Sequence, residues 1–262
     1  MDDWLTFAMD EAIMRKLRST DIQFDQTRDA YVLASRPALT FKRCTEFVAS
    51  FFEPFNAREV AERLTAKHSN YRDRTPHSVL MEWERKRRDG QRVHAEVAQY
   101  IQKGHPPTMS KSRRAVEWLQ REYPREMHEF DAEFIVYNEE LALAGTIDLL
   151  LRRKSGGHCI LIDWKTDSSI GDKPYNNKRG IKGPARTWDD CDYVKYTLQV
   201  SLYRFLFEKH YGLVVDRQFL VHLTDKSAKV LPCEYMNRKV EQMLSFAGLQ
   251  QFVGTSPSLI NS

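Results

Sequence analysis

The chain has few cysteines and no long apolar run, and each shortage excludes something. Its 262 residues include four cysteines, Cys44, Cys159, Cys191 and Cys233, with no paired spacing. Neither a disulfide framework nor a thiolate zinc site follows from such scatter, and free buried thiols are the expected state. No stretch approaches the roughly 18 consecutive apolar residues that would span a bilayer. The first residues, MDDWLTFAMDEA, are acidic and lack a signal-peptide pattern. An intracellular, soluble protein with no membrane partner is expected. There is no internal repeat and no low-complexity tract. The formal net charge of +4 is too small to imply a polyanionic partner by itself. What is present suffices for a core, with 42% hydrophobic and 29% charged residues.

Residues Gly145 to Thr166, GTIDLLLRRKSGGHCILIDWKT, carry the strongest signal. Two apolar runs flank the turn-forming Lys154-Ser155-Gly156-Gly157, which predicts an antiparallel hairpin. Asp148 lies in the first run, and Asp163 and Lys165 end the second. Strand side chains alternate, so Asp163 and Lys165 share a face that Trp164 does not. Pairing in that register brings Asp148 close to both. Charges within Leu/Ile-rich strands are costly unless paired or bound to metal. A hard divalent cation such as Mg²⁺ or Mn²⁺ relieves the repulsion of two carboxylates. The alternative is an edge hairpin whose Asp and Lys face solvent.

Around this hairpin the pattern predicts helices over 41–52 and 57–67, separated by Pro54, and over 78–102 and 111–122. Strands are expected near 131–138, 142–152 and 158–165. A long loop follows over 167–192, then a helix over 193–211 closed by Gly212. Strands over 217–223 and 229–234 precede a final helix over 237–251. Residues 1–35 read as a peripheral helix and an irregular strand. The division expected is an N-terminal, mainly helical region over 1–77, a core over 78–254 and a frayed tail over 255–262. Two pairs sit four residues apart on helices, Gly90 with His94 and Gln199 with Tyr203. Each therefore shares a face. Taken alone, His94 reads as a surface histidine in a charged helix rather than a ligand, and Tyr203 as a packing residue.

The arrangement resembles the PD-(D/E)XK nuclease superfamily. G-T-I-D at 145–148 and D-W-K at 163–165 stand for its core motifs, and Glu133 in AEFIVYN lies on a preceding strand. Within that superfamily the chain is most similar to the RecB-like branch, which includes CRISPR-associated and mitochondrial genome maintenance exonucleases. That branch carries a G-x-x-x-H helix, matched by Gly90–His94, and a Q-x-x-x-Y helix, matched by Gln199–Tyr203. The elements occur in family order over about residues 83–224. The resemblance implies an α/β fold, a restriction-endonuclease-like core. Its mixed sheet of four or five strands is flanked by helices, with an N-terminal helical layer carrying His94. It implies Mg²⁺ or Mn²⁺ held by His94, Asp148, Asp163 and Glu133, with the Trp164 carbonyl as a further ligand. Asp148, Asp163, Lys165, Gln199 and Tyr203 become catalytic candidates. Relatives that hold an iron–sulfur cluster use closely spaced C-terminal cysteines. That spacing is missing here, so no cluster is expected.

Charge distribution adds a substrate. Lys173, Lys178, Arg179, Lys182 and Arg186 oppose the single acid Asp172 within 171–187, and Arg85 to Arg88 with Arg92 precede His94. Such runs are usually solvated faces. Both flank the site in sequence, however, so Arg88, Arg92 and the five loop cations are expected to bind DNA phosphate. The loop reads as a mobile strap, with Tyr175 and Trp188 stacking on bases if the strand is single. The function expected is metal-dependent hydrolysis of DNA phosphodiesters, by an exonuclease acting on ends in replication, recombination or repair. A structure-specific endonuclease, a catalytically dead binding module and a small-molecule phosphatase are the alternatives. Intact Asp148, Asp163 and Lys165 argue against the dead module, and the basic segments against the phosphatase.

Overall fold

Leu149, Leu150 and Leu151 are all fully buried, so the strand that carries them is covered on both faces. The structure is a computed structural model that describes residues 21–154 and 158–249. A short hairpin, β1 (Ile22–Asp25) and β2 (Ala30–Leu33), comes first, followed by the two-residue strand β3 (Lys42–Arg43). Helices α1 (Cys44–Ala49), α2 (Ala57–Lys67), α3 (Pro76–Lys103) and α4 (Ser110–Glu122) then precede the strands β4 (His128–Asn138), β5 (Leu143–Arg153) and β6 (His158–Lys165). Helix α5 (Asp192–Tyr211) leads to β7 (Val214–Leu223), β8 (Ala228–Pro232) and α6 (Asn237–Phe246).

The main sheet is six-stranded, and β4, β5 and β6 are successively antiparallel. Helix α5 is the crossover that sets β7 parallel to β6, and β8 returns antiparallel to β7. The expected four or five strands are exceeded by one because β3 pairs with the start of β5. Lys42–Arg43 lies inside what reads as one helix over 41–52; the helix proper is only the six residues of α1. Within the described part of the N-terminal region, residues 21–77, a hairpin and a sheet strand accompany α1 and α2. The peripheral helix expected early in the chain falls largely, and the frayed tail wholly, outside the described residues.

Local sequence explains the two helices that matter most. Thr75 caps α3 by accepting the Ser78 N–H at 3.1 Å, Pro76 occupies the first turn, and Gly104 ends the helix at φ 72°. Helix α5 ends in the same way at Gly212. Val93, Val97 and Ile101 of α3 and Trp118 and Leu119 of α4 pack on Leu149, Leu151, Ile162 and Trp164. On the opposite face Leu198, Leu202, Phe205 and Leu206 of α5, with residues of α1 and α6, cover Leu150, Leu161 and Leu220. Trp164 meets Trp118 edge-on at 5.8 Å, which anchors the end of β6. All four cysteines are free and buried. Among the described residues no helix is long and apolar enough to cross a membrane.

One sequence expectation is corrected here. Segment 167–192 carries local structure. It contains short 3₁₀ turns at Tyr175–Asn177 and Gly183–Thr187, and a bridge joins Arg179 to Asp189. The Ile181 N–H donates to the Phe51 carbonyl at 2.8 Å. Trp188 is buried, with Lys239 above its ring, so it cannot stack on a base.

Candidate active site

The ladder between β5 and β6 runs from Arg152↔Cys159 to Leu149↔Ile162 and stops there. The next pair in that register is Asp148 and Asp163. Because β4 already occupies one edge of β5 along its length, β3 must pair on the edge that β6 has left. Strands β5 and β6 therefore fork at the two aspartates. Across β4, Ala132↔Leu149 and Phe134↔Ile147 place Glu133 opposite Asp148, although that pair itself is not in the ladder. Glu133 has φ 55°, in the left-handed region that a glutamate rarely enters within a strand. Three carboxylates thus line up across three adjacent strands at a break in the sheet, and backbone strain of this kind clusters at functional sites.

Helix α3 brings His94 to this row. Its Nδ1 lies 3.1 Å from Asp148 Oδ1, while Asp148 Oδ2 accepts the Trp164 N–H at 2.7 Å. Approach of the helix requires Gly90, because a Cβ there would sit 2.7 Å from Thr166 Oγ1. His94, Glu133 and Asp148 offer ligand atoms all within 4.8 Å of one another. One nitrogen and two carboxylate oxygens converging at this spacing suit a divalent cation, and the crowding of acids is a cost that such a cation removes.

Asp163, opposite Asp148 in that register, has partners of its own. Its Oδ1 accepts from Gln199 Nε2 at 3.1 Å, and its Oδ2 lies 2.7 Å from Lys165 Nζ. Gln199 also donates to the Tyr203 hydroxyl at 3.1 Å. The Tyr203 ring fills the space over Gly145, where a Cβ would come within 2.3 Å of it. The structure thus brings together His94, Glu133 and Asp148 as one cluster, and Asp163, Lys165, Gln199 and Tyr203 as a second. Trp164 joins them through its N–H, and its indole points into the core.

Electrostatics follow from the crowding. Burial opposes charge on His94, but Asp148, Asp163 and Glu133 outweigh it and lift the imidazole to about 9. Burial also opposes charge on Asp148, yet His94 and Lys165 hold its carboxyl below the ordinary value. Desolvation and the Asp148 charge push the Glu133 carboxyl up to about 7, though the residue keeps an exposed edge. Asp163 is raised to about 6 by burial and by Asp148, against the pull of Lys165. Burial would lower Lys165, but Asp163 and Asp148 keep it a firm ammonium. Perturbed groups gathered in this way mark functional sites.

The expected DNA-binding cations are exposed but largely engaged. Lys178 pairs with Glu53, Arg179 with Asp189, and Arg92 with Glu96 and Thr108. Arg186 donates to the Ile181 carbonyl at 3.3 Å. Arg88, Lys173 and Lys182 are exposed. Sequence reasoning missed Tyr31, whose hydroxyl lies 2.8 Å from Thr146 Oγ1, and Lys111, which donates to the Thr166 carbonyl at 2.6 Å. It also missed Tyr196 and Asp167, joined by a 3.0 Å hydrogen bond beside Lys165. Only Asp167 and Tyr196 carried any signal, as near neighbours of D-W-K and Gln199.

A forked sheet between helical layers carries carboxylates on neighbouring strands and a lysine two residues beyond one of them. The chain belongs to the PD-(D/E)XK nuclease superfamily, whose family model matches residues 57–254. Nucleases of that superfamily generally use divalent metals, and His94, Glu133 and Asp148 form a cluster able to hold one. No curated protein matches the chain. Among solved structures, the crystal structure of SSO0001 is similar at 12% identity and a TM-score of 0.35. The likeness covers 97% of this chain and 87% of that one, and at such a score it carries no argument.

Proposed function

We propose that the protein is a Mg²⁺- or Mn²⁺-dependent deoxyribonuclease of the RecB-like branch that removes nucleotides from DNA ends. The observation that carries this reading is the opposition of Asp148 and Asp163 at the fork, with His94 and Glu133 on one side and Lys165 on the other. A divalent cation bound at this cluster supplies neutralising charge for the phosphate and a water of lowered pKa. Asp148, fixed by the Trp164 N–H, and Glu133 and His94 are its proposed ligands, joined by Asp163 and the Trp164 carbonyl. Gln199 orients the Asp163 carboxylate, and Tyr203 orients Gln199. Lys165 places an ammonium where negative charge develops on the phosphoryl oxygens, which suits its unusually firm proton better than a role as base. Arg88, Arg92, Lys173, Lys178, Arg179, Lys182 and Arg186 are proposed to hold the DNA backbone. End action in replication, recombination or repair rests on the resemblance to exonucleases.

The test uses end-labelled linear DNA and covalently closed circular DNA, each single- and double-stranded, with Mg²⁺, Mn²⁺ or chelator. Metal-dependent shortening of the linear substrates with the circles intact is the expected result. Nicking of circles would make the protein an endonuclease, and no cleavage under any condition would remove the enzymatic reading.

A further inference from the structure

Lys165 has a second partner that no motif names. Its Nζ lies 3.9 Å from the centroid of the Tyr196 ring. The Tyr196 hydroxyl donates to Asp167 Oδ2 at 3.0 Å, so the ring is tied to the same strand end that carries the lysine. That strand end is itself held: His222 Nε2 donates to the Asp167 carbonyl at 2.7 Å, and Lys111 to the Thr166 carbonyl. On α5, Tyr196 precedes Gln199 by three residues and Tyr203 by seven, so one helix face presents all three to the site.

We propose that Tyr196 is a positioning residue for Lys165, its ring holding the ammonium in place when Asp163 is drawn away from it. The proposal rests on the nuclease reading above. An ammonium has three donors. In this structure one faces Asp163 and one faces the ring, which leaves the third to face substrate. A carboxylate that takes up a cation gives much of its charge to that cation, and its grip on Lys165 weakens accordingly. A π face is suited to remain as the partner: it attracts the ammonium without neutralising it and holds the long side chain in one rotamer. A second carboxylate in that place would cancel the charge needed at the phosphate, and an aliphatic side chain would let the lysine swing to solvent.

The variants Tyr196→Phe, which keeps the ring and loses the hydroxyl, and Tyr196→Leu, which loses both, separate ring from tether. Cleavage kinetics are measured on the labelled DNA described above, with Asp163→Ala as the blank. Protein with ¹⁵N-labelled lysine is also examined by NMR, where the ring current should displace the Lys165 ammonium resonance upfield; Lys165→Arg assigns it. Tyr196→Phe is expected to keep that displacement and a kcat within about threefold of the parent. Tyr196→Leu should lose the displacement and lower kcat by about tenfold or more, with KM and half-saturating metal unchanged. Should the leucine variant melt below the assay temperature, Tyr196→Met repeats the measurement with a side chain that suits a helix. A resonance and a kcat unchanged in the leucine or methionine variant would overturn the proposal. Equal damage in the phenylalanine variant would also overturn it, by assigning the effect to the Asp167 hydrogen bond. If the parent itself cuts no DNA, the nuclease reading fails and the NMR comparison alone decides whether the ring positions Lys165.

Discussion

His94 Nδ1 and Asp148 Oδ1 are 3.1 Å apart, and the same carboxylate holds the Trp164 N–H through its other oxygen. One aspartate therefore joins a helix to the end of a strand that it does not pair with. If His94 ligates metal, His94→Ala should raise the half-saturating metal concentration by about tenfold or more. Mn²⁺ should recover part of the loss, because it accepts nitrogen ligands more readily than Mg²⁺. A metal titration that superimposes on that of the parent would return His94 to a purely structural pairing with Asp148.

The opposite side of the fork gives a sharper expectation. Asp163→Ala should reduce cleavage to background, and Lys165→Ala should cost about 10²- to 10³-fold in kcat, as for loss of a group that meets charge in the transition state. Each variant leaves the other member of a buried ion pair without its partner, so a lower Tm with the fold retained is expected. Circular dichroism and thermal melting alongside the assay check this. Undiminished cleavage in either variant would remove the assigned role.

Much of this site is legible in the sequence because strand alternation and helix periodicity are local. The turn at 154–157 and the spacing of Asp148, Asp163 and Lys165 specify the hairpin, and four-residue spacings place His94 above Gly90 and Tyr203 beside Gln199. What is not legible depends on partners distant in the chain. The fork appears only once β3 is seen to pair with Leu143 and Ala144. Nothing in AEFIVYN announces the left-handed backbone of Glu133, and nothing in the hairpin at 22–33 announces that Tyr31 reaches Thr146. Trp188 misleads for the same reason: a tryptophan in a loop rich in Gly and Lys looks exposed, and burial there depends on α6 lying across it.

Stability of the metal-free protein should depend on pH with a definite sign. Folding raises Glu133 from 4.5 to about 7, Asp163 from 3.8 to about 6 and His94 from 6.5 to about 9. Each group binds its proton more tightly when folded, so its contribution is complete below the unfolded value and is lost as pH rises through the folded one. In chelator, Tm should therefore fall from pH 5 towards pH 9. Glu133→Gln should flatten the lower part of that fall and His94→Gln the upper part. Added Mg²⁺ or Mn²⁺ should stabilise more at high pH, where the ligands are free of protons. A chelated Tm that climbs over this range would contradict the electrostatics assigned to the cluster.

Gly145 tests the geometry without touching a charge. A Cβ at this position would overlap the Tyr203 ring at 2.3 Å, and Tyr203 in turn receives the Gln199 N–H. Gly145→Ala should destabilise by about 1–3 kcal/mol through overpacking. It should also lower kcat, because the displaced ring shifts Gln199 and with it Asp163. The double variant Gly145→Ala/Tyr203→Leu should recover stability without recovering activity. Recovery of both would show that Tyr203 only fills space.

The basic segment at 171–187 leads to the last expectation. It is anchored to Phe51, Gly183 is covered by Phe246, and Lys178 and Arg179 already pair with Glu53 and Asp189. A phosphate must compete with those carboxylates for Lys178 and Arg179, whereas Lys173 and Lys182 are exposed on the same segment. Surface pairs are weak, at about 0–1 kcal/mol, so they can be exchanged for phosphate, but at some loss of affinity. Replacing Lys173 and Lys182 with alanine should therefore weaken DNA binding more than replacing Lys178 and Arg179. It should reduce the slope of log affinity against log salt by about 0.7–0.9 for each phosphate contact removed. Metal affinity should not change, since none of these side chains belongs to the His94–Glu133–Asp148 cluster. Filter binding across a salt series, with the metal titration as control, measures both. A salt slope identical to that of the parent in the Lys173/Lys182 variant would show that DNA does not run along this segment.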